Sequence, residues 1–336
     1  MPANPNHIIS RFSQLKNETE RRNFETIWEN GADFCSPPQN NILTVRTAGE
    51  RKPSQRLIDI GIRSNRIFTS GLSSHLIPAG AKFFNYSSSD YRLKDDDAVK
   101  RYYNQVTGIT YEILNASNFF QEVTKSISHL GFIGTCCTFI EPASQKGKYI
   151  NFKSHYINSY YISEDAYGQV DTVYIELDLT ARQVVQLFGD NASKRTKDLA
   201  DNPSTADQKV KIIHAIEPRA DYNPKKSTGD ERPIKSCYVE VEAKKVVKET
   251  GYYELPFAIG RFYQATNEKY GRCPALECLS TLSTTNAMEL TRLNTAQRVA
   301  NPPWLAPNDG SVRTISNHAG TIMYWMLEIQ HPNLNS

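Results

Sequence analysis

The chain has 336 residues, with 39 basic and 36 acidic side chains for a formal charge of +3, and a mean hydropathy of −0.53. That length suffices for one large domain or two to three ordinary ones with a real core, and 39% apolar against 22% charged residues excludes a disordered composition. The near balance of charge excludes a polycation that grips nucleic acid by charge alone, and no run approaches the roughly 18 apolar residues of a membrane span, so no membrane partner is expected.

The N-terminal stretch Met1-Pro2-Ala3-Asn4-Pro5-Asn6 lacks the basic and apolar regions of a secretory signal, which predicts synthesis and retention in the cytoplasm. Ile8, Ile9, Phe12, Leu15, Phe24, Ile27 and Trp28 form a loose helical stripe over 7–30, interrupted by the charged run Glu18 to Arg22. Gly31 and Pro37-Pro38 close it. A second helix is predicted over 54–77, with Leu57, Ile58, Ile60, Ile67, Phe68, Leu72, Leu76 and Ile77 on its apolar side and Pro78 and Gly80 as its stop. A third starts at Asp95-Asp96-Asp97, where carboxylates oppose the helix dipole, and a fourth runs from Phe119 to Gly131.

From Tyr149 the pattern becomes short and β-branched, over 149–152, 160–162, 170–175, 210–216 and 237–241. Thr180 and Gln183 form a capping box for a short helix ending at Gly189. Residues 190–209 and 219–236 are polar and predict exposed loops. Lysines such as Lys194, Lys225 and Lys248 concentrate in this region, as a solvated or docking surface. The last element, Ala275 to Ala300, places Leu276, Leu279, Leu282, Asn286, Leu290, Leu293, Gln297 and Ala300 at spacings of three and four. Its opposite face is mostly Ser, Thr, Asn and Ala, and Glu289, Arg292 and Arg298 are its charges after Glu277. A helix with so little charge suits packing against neighbours on several sides, as in a subunit interface, or the lining of a neutral passage.

The six cysteines, Cys35, Cys136, Cys137, Cys237, Cys273 and Cys278, contain no C-x-x-C pair, and the vicinal Cys136-Cys137 cannot easily be bridged, so free buried thiols are expected. No phosphate-binding loop, dinucleotide fingerprint, H-E-x-x-H or G-x-S-x-G elbow is present, and the seven histidines lack metal-ligand spacing. No catalytic residue, metal ligand or cofactor is therefore assigned.

Several motifs then occur in a telling order. Ser70-Gly71-Leu72 leads to Leu76-Ile77-Pro78 and Lys82-Phe83-Phe84, followed by Gly131-Phe132-Ile133-Gly134-Thr135 and by Gly168-Gln169-Val170-Asp171-Thr172-Val173-Tyr174. Pro256-Phe257 with Arg261-Phe262 precedes Tyr270-Gly271-Arg272-Cys273-Pro274-Ala275, and Asn301-Pro302-Pro303-Trp304 precedes Asp309-Gly310 and Ala319-Gly320-Thr321-Ile322. In this order the motifs resemble the head-to-tail connecting (portal) protein family of short-tailed bacteriophages. Phe83 stands where the family more often has Trp, Cys273 where it has Ser, and Ala319 where it has Pro. The ending Trp325 to Pro332 departs from the family's continuation, so the chain reads as C-terminally shortened.

The resemblance implies an α+β ring subunit: a mainly helical, wing-like region over 1–148, an α+β region over 149–260, the long helix over 261–303, and the start of a further region over 304–336. It implies a homo-oligomeric ring, a dodecamer, at one capsid vertex of the virion. The terminase motor would drive double-stranded DNA through the ring, and capsid, scaffold and tail proteins would dock on it. Gly71, Pro78, Phe83, Gly134, Gly168, Gly271, Arg272, Pro274, Pro302 and Pro303 are the motif residues, with Asn286, Glu289, Arg292 and Arg298 as interface or channel candidates. Arg272 is placed to pair with an acidic group, across subunits or within its own. Two other readings remain: a tail or adaptor component that encloses no DNA, and a nuclease holding a metal on Asp95, Asp96, Asp97 and Glu112.

Overall fold

The computed structural model describes residues 4–43, 49–50, 56–78, 80–143, 148–222, 232–302, 304–307 and 322–325. The chain divides into two compact units, one of residues 1–52 and 60–278 and the other of 53–59 and 279–336.

The first unit opens with α1 (Pro5–Lys16), whose Asn4 cap accepts from the Asn6 amide at 3.0 Å and whose Ile8, Phe12 and Leu15 are buried. The stripe predicted over 7–30 is two helices, because the chain leaves helical geometry at Asn17–Glu18 before α2 (Thr19–Cys35). Then come α3 (Ile60–Leu76), α4 (Asp97–Ala116) and α5 (Phe119–Phe132). The second helix begins at Ile60 rather than at 54, since 56–59 are irregular and 54–55 lie outside the described residues. Asp96 caps α4 by accepting from the Ala98 and Val99 amides at 2.7 and 3.2 Å.

Two antiparallel sheets follow. Strand β1 (Thr135–Pro142) pairs on one side with β2 (Ile150–His155) and on the other with β8 (Phe257–Arg261). Strands β3 (Tyr160–Glu164), β4 (Val170–Thr180), β5 (Lys209–Pro218), β6 (Ile234–Glu240) and β7 (Lys245–Tyr252) make a meander of neighbours in chain order. Burial on both faces explains why Ile212 to Ile216 is a continuous run rather than an alternation. One face packs Tyr174, Ile213, Ala215 and Val239 against α1. The other packs Val210 and Ile212 against α6 (Ala181–Phe188), which keeps its predicted Thr180/Gln183 capping box.

Residues 190–209 are not a plain loop. They hold α7 (Lys194–Asp201), and Ser193 at its cap and Thr196 both donate hydroxyl protons to the buried Glu240 carboxylate. Of 219–236, residues 223–231 lie outside the described set, and β6 begins at Ile234. Five cysteines are buried and Cys278 is exposed. Burial pushes the Cys237 and Cys273 thiols up to about 12 and raises Cys136 and Cys137, so these sulfurs stay protonated and unreactive.

The final helix is interrupted: α8 (Pro274–Glu277) ends the first unit at Cys278, and α9 (Leu279–Ala300) opens the larger part of the second. Strands β9 (Trp304–Pro307) and β10 (Ile322–Trp325) pair in parallel within that unit. No helix among the described residues is long and apolar enough to cross a membrane.

The charged run that interrupts the first stripe conceals the deepest anchor of the fold. Arg21 of α2 is wholly buried, its Nη2 donating to the Ile157 carbonyl at 2.5 Å and its Nε to Glu25 at 2.9 Å. Its guanidinium lies 4.7 Å from the Tyr161 ring, 4.9 Å from Trp28 and 5.3 Å from Tyr270. Replacing Arg21 by Met keeps the bulk but strands buried carbonyls and a half-buried carboxylate. A loss of about 3 kcal/mol is expected in urea denaturation, and an unchanged midpoint contradicts the anchor.

Burial holds three imidazoles neutral, His129 at about 4 and His155 and His214 at about 3. These values lie below the 6.5 of the unfolded chain, so stability is full above pH 6.5 and falls as acid protonates the unfolded state alone. Between pH 7 and 5, before most carboxylates titrate, the urea midpoint should drop by the equivalent of about 2 kcal/mol per histidine.

Candidate functional site

Two motif glycines of the first unit, Gly134 and Gly271, meet at one crossing of two backbones. Gly134 ends the α5–β1 turn with φ +88°, a conformation open to glycine, and Gly271 lies against it. A Cβ at Gly134 would stand 2.5 Å from the Gly271 carbonyl oxygen, and one at Gly271 would collide with the Gly134 carbonyl. The crossing is tied by backbone bonds: Phe262 N–H donates to the Gly134 carbonyl at 2.9 Å, and Tyr263 and Arg272 exchange bonds at 3.2 and 2.6 Å. Gly271 N–H donates to the Thr135 hydroxyl oxygen at 2.8 Å, and Trp28 Nε1 to the Ile133 carbonyl at 3.0 Å. Tyr270 meets Trp28 edge to face, with centroids 5.0 Å apart.

Arg272 pairs locally, its Nε and Nη2 reaching both Glu268 oxygens at 2.8 and 2.6 Å with its guanidinium over Phe24. Those bonds hold the Glu268 carboxyl below its ordinary range. Pro274 is the first residue of α8, where its missing N–H costs no helical bond. Gly168 sits in the β3–β4 turn at φ +75°, where Asp165 accepts from the Tyr167 and Gln169 amides at 2.8 and 2.9 Å. Its carbonyl accepts from Arg261, the residue that pairs with Glu164 at 2.5 Å.

Elsewhere the motif residues do other work. Phe83 stacks in an aromatic cluster with Phe84, Tyr111 and Phe119, and Tyr111 Oη accepts from the Phe83 and Phe84 amides at 2.5 and 2.8 Å. Pro78 follows α3 and stops it. Gly71 lies exposed inside α3, and a Cβ there would meet nothing. Pro302 is exposed after α9, and Pro303 lies outside the described residues.

The second unit carries the other candidates. None of the 22 residues of α9 is buried. Met288 is 67% exposed and Val299 76%, on a stripe with Ala287, Thr291, Thr295 and Ala296, while Leu290 and Leu293 are exposed off it. The threonines satisfy themselves: Thr284, Thr285, Thr291 and Thr295 hydroxyls donate to the carbonyl four residues back at 2.8 to 3.0 Å. Glu289 and Arg292 pair at 2.8 Å, which cancels two of the helix's charges. Asn286 Oδ1 accepts from the Leu57 amide at 2.7 Å, and Arg298 lies in the last turn. The surface offered is thus broad, weakly charged and short of free donors. Asp96 caps α4, Asp97 stands in its first turn and Asp95 pairs with Lys100 at 3.4 Å, and no group of three metal-ligating side chains occurs among the described residues.

A family model described as "Bacteriophage head to tail connecting protein" matches residues 5–332. The "Probable portal protein" of Bordetella phage BPP-1 is 28% identical over 321 residues, covering 94% of this chain and 57% of that protein. The "Portal protein" of Salmonella phage epsilon15 is 27% identical over 322 residues, with the same coverage of 94% and 57%. The chain belongs to the bacteriophage head to tail connecting protein family, and it spans a little over half the length of these curated relatives.

The glycines separate by substitution. Gly134→Ala and Gly271→Ala should each cost about 3 kcal/mol, from φ strain at the first and overlap at both. Gly71→Ala, at an open helical position, should stabilise by about 0.5–1 kcal/mol. Thermal denaturation of the three variants checks the order, and a tolerated alanine at Gly134 contradicts the crossing.

Proposed function

We propose, from that family membership, that the chain is a portal subunit: a ring at one capsid vertex through which the terminase motor packages DNA and from which it is later ejected. Capsid, scaffold and tail proteins are the proposed partners, a dodecamer the proposed ring, and the virion its place. The role is structural and conductive, without an active site of its own. The wing-like region over 1–148 and the region over 149–260 form the body in this reading, with Arg272, Pro274 and the crossing glycines shaping the approach to the long helix.

The observation that carries the reading is α9, a 22-residue helix with no buried residue. A ring closes by heterologous contacts, in which one surface of a subunit meets a different surface of the next. Such contacts demand apolar surface that the lone chain leaves uncovered, and α9 supplies it. The same helix suits a channel wall: each firm phosphate contact adds to the barrier against sliding DNA, and α9 offers few cations. Asn286, Glu289, Arg292 and Arg298 are its proposed interface or channel residues.

Negative-stain electron microscopy with native mass on one sample tests this. Rings with an axial hole wide enough for duplex DNA are the expected result, and Met288→Glu should shift them to smaller species at an unchanged melting temperature. Closed particles without a hole favour an adaptor instead. Amide exchange on α9 should slow on assembly, and a chain that stays monomeric, both alone and extended to its relatives' full length, overturns the proposal.

A further inference from the structure

Between the two sheets of the first unit lies a cleft of about 610 Å³ that the ring reading leaves unused. Its floor is aromatic. His214 and Tyr238 face each other across β5 and β6, their rings stacked at 3.9 Å with planes 9° apart, and Phe139 of β1 meets the His214 ring edge-on at 5.6 Å. His214 Nε2 is already bonded to the Ser236 hydroxyl at 2.9 Å, so the floor ring is fixed in place.

Polar groups converge on this floor. His155 of β2 lines the cleft while only 5% exposed, and its imidazole makes no hydrogen bond among the described residues. Its ring nitrogens are not among the sealed, unpartnered atoms, so the donor and acceptor of a neutral imidazole stay open to an occupant of the cleft. Lys153 of β2 and Lys248 of β7 stand exposed on the lining, and neither pairs with a carboxylate among the described residues. Glu141 is the one carboxylate on the lining, and its Oε1 already accepts from Asn151 Nδ2 at 2.8 Å.

Two ammonium groups against one carboxylate leave the cleft with a surplus of one positive charge. A cation is repelled, and a dianion such as phosphate would exceed the surplus and find an aromatic floor with no use for it. A flat ring bearing a single negative charge matches both features, and the volume lies within the range of small-ligand pockets. We propose that this cleft binds an aromatic carboxylate, with its ring on Phe139, His214 and Tyr238, its carboxylate between Lys153 and Lys248, and His155 donating a hydrogen bond. The proposal does not depend on ring formation.

Calorimetric titration of the full chain with N-acetyl-L-tryptophan, beside its neutral amide, separates charge from ring. The acid is expected to bind at least about tenfold more tightly than the amide. In Lys153→Ala/Lys248→Ala, whose side chains are exposed and whose melting temperature should be unchanged, the acid should weaken to the level of the amide. The tripeptide acid Gly-Gly-Trp distinguishes the source. Binding as tight as the acetylated acid supports a chain terminus as ligand, and selective binding of the acetylated acid supports a free small molecule. Equal affinity for acid and amide, acid binding that survives the double substitution, or no binding of either at about 10 mM overturns the proposal.

Discussion

Two backbones that approach too closely for any side chain set the terms for the first unit. The Gly134 and Gly271 crossing joins the turn between α5 and β1 to the segment leading to α8, which is distant from it in sequence. Without a Cβ on either strand, carbonyls and amides come near enough for the Tyr263–Arg272 and Phe262–Gly134 bonds to form. Trp28 and Tyr270 then close over it, and through them Arg21 is sealed between α2, β3 and the chain before α8. The glycines thus determine where α2 lies and where the last helical segment starts. The aromatic and cationic groups around them convert a close approach into a packed one.

What was legible in the residues follows from how local the physics is. The α4 cap at Asp96, the Thr180/Gln183 capping box and the run Ile212 to Ile216 are short-range signals, and each element stands where its signal lies. Arg21 was illegible, because only tertiary neighbours turn an arginine inward, and the charged run read as an interruption. Strand β1 was hidden among apolar residues with helical neighbours on one side, where period alone cannot choose between strand and helix. Strand β7 carries too many Lys, Glu and Gly residues to announce itself and β8 is five residues long with Gly260 inside it, and they are held by pairing with β6 and β1. Helix α7 was missed because its burial rests on Glu240, 44 residues downstream of Thr196, which no local pattern shows. The glycine crossing was visible as motifs in order, but its cause, contact between Gly134 and Gly271, appears only in three dimensions.

The second unit obeys a different logic. An isolated helix in water is marginal, and β-branched threonines lower its intrinsic propensity further. Helix α9 has no fully buried residue within the chain to offset this. Four of its threonine hydroxyls bond back to their own helix, which satisfies them within it. Exposed Met288, Leu290, Leu293 and Val299 add apolar area on more than one side. A sequence selected for a lone helix in water would place lysines and glutamates there. The composition of α9 is therefore that of a helix whose stability comes from surfaces around it.

That contrast bears on how the proposed ring would be assembled from one chain. The first unit pairs several of its charged groups internally, with Arg272 turned to its own Glu268 and Glu240 capped by Ser193 and Thr196. Such a body keeps its shape without neighbours, so neighbours can add without reorganising it. On α9 the balance is reversed, since apolar area awaits cover and the Glu289–Arg292 pair removes the charge that would oppose it. A ring built this way draws its association free energy from one element while its geometry is held by another. Under that proposal, changes on α9 would act on assembly and changes at the glycine crossing on folding.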